Sequence, residues 1–183
     1  MNIHILGASG SGTTTLGKAI SNKFHFQHFD TDDYFWLPTD PPYQKKRPKE
    51  KRQELLYKDL KKAPDWILSG SLIGWGDIFI PHFDLVIYLW VPGEIRIKRL
   101  DRRQQDQFGE QVLPGGKMYK THIEFLEWAS KYDTGGPDMR SKKSHQLWLS
   151  KLTCPVLRIE GNYKVEDSLR MVTEKLDELN KNT

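Results

Sequence analysis

The sequence has little cysteine and no long hydrophobic run. Its one cysteine, Cys154, excludes an internal disulfide, supplies no metal-ligand pattern and lies in an apolar run that predicts a buried core residue. No apolar stretch approaches the roughly 20 residues that a membrane span needs. The apolar run near the start lacks the charged leader of a signal peptide. We therefore expect a cytoplasmic protein that makes no membrane contact.

The composition predicts a folded protein with a strongly charged surface. The chain has 183 residues, of which 37% are hydrophobic and 28% are charged, and this length is typical of one domain with a sizeable core. Its net charge of +4 suits an anionic small molecule at least as well as nucleic acid. Basic residues cluster at 45–52, 58–62, 96–103 and 140–143, where a solvated helix face is the alternative to a binding site.

Short apolar runs alternate with helical patterns along the chain. The predicted strands are 3–6, 24–29, 66–69, 85–91 and 155–159, and the predicted helices are about 13–23, 47–62, 93–105 and 165–180. The run at 85–91 is apolar throughout, as expected of a strand that is buried on both faces of a parallel sheet. The pattern predicts a single α/β domain over 1–183, with a mainly parallel sheet that is covered on both faces.

The stretch from about 104 to 150 interrupts this alternation. It has no strand pattern and contains glycine-rich breaks around two helical runs, "KTHIEFLEWASKYD" and a second run that ends near residue 150. A glycine-hinged insertion of this kind is a candidate lid over an active site. An ordinary helical hairpin that packs on the domain is the alternative.

The segment "GASGSGTT" predicts a phosphate-binding loop. Gly7 and Gly12 have the spacing of the P-loop pattern G-x-x-x-x-G-K-[ST], and Thr14 aligns with the hydroxyl that coordinates Mg²⁺. Glycines let backbone N–H groups point at anionic oxygens, and the following helix adds the positive end of its dipole. The candidate phosphate-binding residues are Gly7, Ser9, Gly10, Ser11, Gly12, Thr13, Thr14 and Thr15. A ligand-free turn or a dinucleotide site is the weaker interpretation.

Thr13 stands where the P-loop pattern has its lysine, so the loop lacks a positive charge that reaches the outer phosphates. Lys18 is a poor substitute, because it lies five residues further along, or ~7.5 Å at the helical rise per residue. The basic cluster at 96–103 is the expected source of the replacement charge.

Three carboxylates follow the second predicted strand, at Asp30, Asp32 and Asp33. Ligands of doubly wound sheets bind at the carboxyl ends of the strands, which places these acids beside the glycine loop. One can hold Mg²⁺, which needs few protein ligands, and another can accept the proton of an attacking hydroxyl. Turn residues or a helix N-cap are the alternative roles.

Two further segments are candidates for binding the acceptor. The aromatic residues at 34–36 and the proline-rich stretch after them can line a pocket for a ring with an anionic group, with Arg47 as a contact, or can instead fill the core. A second glycine-rich turn places Gly70 and Ser71 at another strand end. Ser69 stands where phosphotransferase sheets often have an acid, which leaves Asp30 to compensate.

Arginines of the helix at 93–105 share one face. Arg96, Arg99 and Arg103 are spaced i, i+3 and i+7, and Arg140 lies on the returning side of the insertion. Guanidinium groups stabilise the charge of a transferring phosphoryl group without a change of protonation. A surface ion-pair array is the alternative.

The segments "GASGSGTTT", "DTDDYFW", "GSLIGW", "RLDRR" and "LRIEG" together resemble the adenylate-kinase-like P-loop small-molecule kinases. The chain is most similar to a bacterial branch that includes proteins named DNA topology modulation protein. The resemblance implies a P-loop NTPase fold, with a five-stranded parallel sheet, helices on both faces and a helical lid insertion. It also implies that the cofactors are ATP and Mg²⁺.

The resemblance also implies roles for individual residues. Adenine is expected near Gly161 and Asn162, and Arg99 and Arg103 match the paired lid arginines of adenylate kinases. Arg140 is similar to an arginine of the returning lid helix. Asp30 and Asp32 resemble the Asp-x-Asp of shikimate kinases, in which the first acid serves the metal and the second serves the acceptor hydroxyl.

The sequence thus predicts an ATP-dependent phosphotransferase whose partners are ATP and a small acceptor with a hydroxyl or phosphate group. A nucleoside monophosphate kinase is one alternative. A nucleotide-binding regulator without turnover, in contact with DNA through the basic residues at 45–52 and 58–62, is another and less favoured one. The fold cannot choose the acceptor, and the sequence does not predict the oligomeric state.

Overall fold

The computed structural model describes residues 1–181 and contains one sheet of five parallel strands. The strands are β1 (Asn2–Gly7), β2 (Gln27–Asp30), β3 (Trp66–Ser69), β4 (Leu85–Trp90) and β5 (Val156–Glu160). Their order across the sheet is β2-β3-β1-β4-β5, so β1, which leads into the glycine loop, is central. The predicted α/β fold with a parallel sheet is confirmed. β2 begins later than predicted because Phe24 still belongs to the preceding helix.

Seven α-helices connect and cover the strands in the described part of the chain. They are α1 (Thr13–Phe24), α2 (Thr31–Phe35), α3 (Lys49–Leu60), α4 (Gly93–Phe108), α5 (Tyr119–Ser130), α6 (Lys142–Leu149) and α7 (Val165–Lys181). None of these helices is long and apolar enough to cross a membrane. α2 follows β2 directly and was not predicted as a separate helix, since five residues are too few to show a helical period.

The core consists of two apolar clusters, one on each face of the sheet. Along β4 the side chains alternate, so that Val86 and Tyr88 join one cluster while Leu85 and Ile87 join the other. All four are fully buried, which explains why this strand is apolar throughout. Cys154 packs only partly against the first cluster, so the prediction of a buried cysteine is wrong in degree.

The strand register brings the predicted site residues to one edge of the sheet. Asp30 is aligned with Ser69 between β2 and β3, and Gly7 is aligned with Leu89 between β1 and β4. The carboxyl ends of these four strands therefore meet where the glycine loop begins, which is where ligands bind in sheets of this kind.

The returning half of the insertion is packed against the sheet. Trp148 and Leu149 of α6 belong to the buried cluster. Tyr132 exchanges hydrogen bonds with Tyr88 of β4, at 2.9 Å, and with His145 of α6, at 2.7 Å. This half therefore fits the hairpin alternative, whereas a lid formed by the segment from the end of α4 through α5 stays a prediction.

Candidate functional site

The start of α1 leaves its backbone N–H groups available to a ligand. Gly12 is the N-cap residue, with φ of 96°, and no side chain caps the helix. The first turn contains no acidic residue that would occupy the positive end of the dipole. Unpaired N–H groups and the dipole together favour an anion, so this helix end fits phosphate.

Glycine is required in the loop by close backbone contacts. Gly10 has φ of 80°, and a Cβ atom there would lie 2.7 Å from the carbonyl oxygen of Arg96. The loop is closed by a 3.1 Å hydrogen bond from the N–H of Ser11 to the carbonyl of Ala8. The Ser11 hydroxyl is buried and has no hydrogen-bond partner among residues 1–181. An unpaired buried hydroxyl beside free N–H groups is consistent with a missing anionic ligand.

A polar cleft of about 430 Å³ runs along this loop. It is lined by all eight of the predicted phosphate-binding residues, together with Asp30, Asp32, Gly70, Ser71, Arg99, Arg103 and Arg140. Tyr163, Val165 and Ser168 also line it. The structure thus brings together the loop, two of the three predicted carboxylates, the second glycine turn and three arginines. We refer to this cavity as the phosphate cleft.

Two hydroxyl groups donate hydrogen bonds to the carboxylate of Asp30. Thr14 donates a 2.7 Å hydrogen bond to Oδ2 of Asp30, and Ser69 donates to the same oxygen at 3.2 Å. Oδ1 accepts a 3.1 Å bond from the N–H of Asp32 and thereby caps α2. Asp30 therefore caps α2, which was the alternative role, and it also binds the hydroxyl of Thr14.

The pair Thr14 and Asp30 fits Mg²⁺. Both groups are hard oxygen donors, and a Mg²⁺ ion that keeps most of its waters takes only one or two protein ligands. No group of three or more His, Cys, Asp or Glu side chains in the described part of the chain is arranged to hold a metal ion. Mg²⁺ does not need a site made wholly of protein ligands, and Thr14 and Asp30 are enough to supply the one or two that it takes.

Asp32 lies where the phosphate cleft opens into a second cavity. Desolvation and the negative charge of Asp30 raise the pKa of Asp32, while Arg140 and Arg103 oppose the shift. The pKa of Asp33 is raised for the same two reasons, so position rather than pKa separates these two acids. Asp32 is the only carboxylate in the described part of the chain that lines both cavities, and this position fits the role of a general base.

Three arginines face the cleft, and a fourth does not. Arg99 donates to the side chain of Asn162 at 2.8 Å and reaches the carbonyl of Gly10 at 3.5 Å. Arg103 and Arg140 line the cleft near Asp32. Arg96 is completely buried, so its grouping with the cleft arginines is wrong.

Arg96 instead connects α4 to the insertion. Its guanidinium forms a 2.7 Å ion pair with Asp133 and donates to the carbonyl of Val91 at 2.9 Å. Asp133 also accepts a bond from the indole of Trp90 at 2.7 Å. A buried guanidinium needs such partners, because an unpaired buried charge is strongly destabilising.

The cations that line the cleft are all arginines in the described part of the chain. No lysine lines it in the described part of the chain, whereas three arginines do. Lys18 is exposed and lies outside the cleft, which agrees with its rejection on sequence grounds. The arginines Arg99, Arg103 and Arg140 are accordingly the available cations.

A second cavity of about 500 Å³ adjoins the phosphate cleft. Its aromatic lining is Phe35, Trp36, Tyr43, Phe108, His122, Phe125 and Trp128, and its polar lining includes Gln44, Lys46, Gln104, Gln107 and Thr121. Ser9, Asp32, Arg103 and Arg140 line both cavities. We refer to it as the aromatic cavity. Phe35 and Trp36 line this cavity, and Phe35 also packs against the core, whereas Tyr34 is buried in the core.

Four predicted site residues line neither cavity. Asp33 is exposed, and its electrostatic partners besides Asp30 are His28 and Lys18. Arg47 donates to the backbone carbonyls of Asp33 and Tyr34, so it braces α2 rather than a ligand. The assignment of these two residues to acceptor binding is therefore corrected.

Gly161 and Asn162 lie beside the cleft, next to Tyr163, but do not line it. Asn162 positions Arg99 instead. The residues that reasoning from the sequence missed are those of the insertion, such as Phe108, Phe125 and Trp128. The candidate lid pointed to this segment, but the helical spacing did not show which of its side chains face the cavity.

The sequence is 47% identical to that of the uncharacterized protein YqaC of Bacillus subtilis over 175 residues, which are 96% of this chain and 97% of YqaC. An adenylate kinase of Borreliella burgdorferi is 32% identical over 128 residues, which are 57% of this chain and 58% of that protein. A solved structure of shikimate kinase from Bacteroides thetaiotaomicron matches with a TM-score of 0.56 and 18% identity, over 97% of this chain and 98% of that one. No family model matches the chain.

These similarities agree with the geometry of the glycine loop and the sheet. The matches to YqaC and to the shikimate kinase structure both extend over nearly the whole of both chains. The chain therefore belongs to the same family as YqaC, and its fold is that of the P-loop kinases that resemble adenylate kinase and shikimate kinase.

Proposed function

We propose that the protein is an ATP-dependent phosphotransferase that moves the γ-phosphoryl group of ATP to a small acceptor. One observation carries the proposal: the phosphate cleft and the aromatic cavity meet at Asp32, Arg103 and Arg140. A donor in the cleft and an acceptor in the cavity then come together at two cations and a carboxylate. These are the groups that phosphoryl transfer requires at the reacting atoms.

The nucleotide lies along the cleft in this proposal. Its phosphates accept hydrogen bonds from the N–H groups at the start of α1, and its base lies in the part lined by Tyr163 and Val165. Arg99, which Asn162 holds in place, reaches the phosphates from α4. Thr14 and Asp30 would hold Mg²⁺, which supplies charge neutralisation on the phosphate oxygens.

The transfer step uses the residues at the border of the cavities. Arg103 and Arg140 stabilise the negative charge that spreads over the moving phosphoryl group. Asp32 orients the acceptor and takes its proton. Because Ser9 also lines both cavities, the loop contributes a hydroxyl at the same point.

Similarity to proteins named adenylate kinase and shikimate kinase supports kinase chemistry but does not select an acceptor, because one fold hosts several substrates.

The absence of lysine at position 13 favours a nucleotide-binding regulator without turnover as the second candidate. Contact with DNA through 45–52 is less favoured, since Arg47 and Arg52 of that segment donate to backbone carbonyls.

The test is ADP formation from ATP and Mg²⁺ with a panel of metabolite acceptors, run beside nucleotide binding by thermal shift. A phosphotransferase gives ADP at a rate that one acceptor raises, and ATP raises its unfolding temperature. A regulator gives the same thermal shift with no acceptor-dependent ADP, and that result would contradict the proposed activity. DNA binding that weakens steeply with salt would support the regulator instead.

A further inference from the structure

The walls of the aromatic cavity present flat rings from two separate parts of the chain. Trp36 and Tyr43 form one pair of lining rings, with centroids 5.9 Å apart, and the Tyr43 side chain is half exposed. Phe125 and Trp128 of α5 form a second pair, with centroids 6.0 Å apart and planes inclined by 23°. A cavity lined by several aromatic rings favours a ligand that is itself flat and aromatic.

The same cavity offers hydrogen bonds at its edge. Gln104 and Gln107 of α4 and Thr121 of α5 line it, and their side chains form no hydrogen bond with another residue within 1–181. An amide side chain both donates and accepts, so it can match the edge of a heterocyclic ring that carries both kinds of group.

The border of the cavities fits a hydroxyl better than a phosphate as the reacting group. Asp32 is the carboxylate that lines both cavities, so it lies at the acceptor's reacting end. A phosphate acceptor would add like charge next to it. It also needs no base, whereas a hydroxyl must lose its proton during transfer.

Few cations remain to hold a charged acceptor. Arg103 and Arg140 are shared with the phosphate cleft, where the donor's phosphates occupy them. Lys46 is then the only other lysine or arginine that lines the aromatic cavity in the described part of the chain. Its Nζ atom lies 5.9 Å from the ring centroid of Phe35, where it contacts an aromatic face rather than an anion site.

We infer that the acceptor is an uncharged alcohol that carries a planar heteroaromatic ring, which is the chemistry of a nucleoside. Its ring lies in the aromatic cavity, its edge pairs with the glutamines, and its hydroxyl reaches Asp32. The acceptor oxygen bonds to the γ-phosphorus, and the bond from that phosphorus to the β–γ bridging oxygen breaks, so ADP leaves with the electron pair. The hydroxyl proton passes to the carboxylate of Asp32. This inference rests on the proposed function.

The experiment measures ADP formation from ATP and Mg²⁺ with three groups of probes. The first contains adenosine, cytidine, guanosine and uridine, the second their 5′-monophosphates, and the third shikimate and glycerol, which have no aromatic ring. We expect at least one nucleoside to raise the rate and mass spectrometry to show that nucleoside with one added phosphoryl group. Turnover with only the second or third group would overturn the inference and leave the phosphotransferase standing. No turnover with any probe would overturn both.

A pair of variants on α5 tests where the ring binds. Phe125→Ala removes one of the lining rings, and we expect the KM for the nucleoside to rise about tenfold or more, as for a lost stacking contact, while the KM for ATP stays unchanged. Tyr119→Ala is the matched control, because Tyr119 is an exposed aromatic residue of the same helix that lines neither cavity. Equal nucleoside KM values in the two variants would contradict this position of the ring. Circular dichroism confirms that both variants are folded.

Discussion

The phosphate cleft and the aromatic cavity adjoin each other but are lined by different kinds of chemical group. The cleft is formed mainly by backbone groups, short hydroxyl side chains and arginines around one continuous loop. The aromatic cavity is formed by large side chains from the α2 region, α4 and α5. The cleft suits the phosphate chain, which every nucleoside triphosphate shares, whereas the aromatic cavity suits a particular ring. Under the proposed function, a few side chains of the aromatic cavity could therefore change the acceptor while nucleotide binding stays the same.

Asp32→Asn gives the largest expected effect, since it removes the proton acceptor where the two cavities meet. We expect the turnover number to fall about a hundredfold or more, which is the usual contribution of a general base, while ATP still binds. Asp33→Asn is the matched control, because Asp33 is the adjacent acid and lines neither cavity. Steady-state kinetics check this, and an equal loss in both variants would show that Asp32 has no special role.

Acid is expected to loosen the contact between the insertion and the sheet. Burial lowers the pKa of His4 to about 4 and that of His145 to about 3, and His4 stacks on Phe83 and lies edge-on to Trp148 of α6. In the folded protein both pKa values lie below the ordinary 6.5. The two neutral imidazoles therefore make their full contribution to the free energy of unfolding above pH 6.5. This contribution is lost progressively as pH falls below 6.5, until about pH 4 for His4 and about pH 3 for His145. The full loss for His4 is on the order of 3 kcal/mol.

Urea unfolding at pH 7 and pH 4.5 measures this loss. His145→Gln should reduce the difference between the two free energies of unfolding, whereas His82→Gln should leave it as in the wild type, since His82 is exposed. His4→Gln gives an independent second measurement on the same interface. A wild-type difference that neither substitution reduces would contradict the assignment to these buried imidazoles.

Arg99→Ala is expected to have a smaller effect that is confined to the cleft. We expect the dissociation constant for ATP to rise about tenfold, as for one lost hydrogen bond to a charged group. Arg102→Ala is the control on the same helix, because the Arg102 side chain is exposed and pairs only with Asp106 in the described part of the chain. Calorimetry of ATP binding distinguishes them. Equal affinities in the two variants would remove Arg99 from the phosphate site.

The difference between the cavities also explains how much the sequence could predict. The cleft was predictable because its glycines, hydroxyls and helix start are consecutive, and because parallel strands align Asp30 and Ser69 at one edge. The aromatic cavity was only half predictable, through Phe35 and Trp36. Phe108, Phe125 and Trp128 come from a distant insertion, and nothing in their local spacing shows which way they face.

Two arginine assignments failed for a related reason. Helical spacing places Arg96 and Arg99 on one broad face but cannot show that Asp133, far along the chain, pairs with the first of them. Arg47 follows a proline-rich stretch whose path the sequence does not fix, and it turns back to bind carbonyls of α2. In both cases the partner is a tertiary contact, and residue type and spacing carry no information about it.

Isothermal titration of ATP and Mg²⁺ into the wild-type protein tests the central claim most directly, with Thr13→Lys titrated in parallel. If backbone N–H groups and the cleft arginines suffice, the wild type binds ATP with a dissociation constant below about 1 mM, corresponding to roughly 4 kcal/mol. Restoring the lysine then changes the affinity little. Binding by Thr13→Lys alone, with no heat from the wild type at millimolar ATP, would contradict the account.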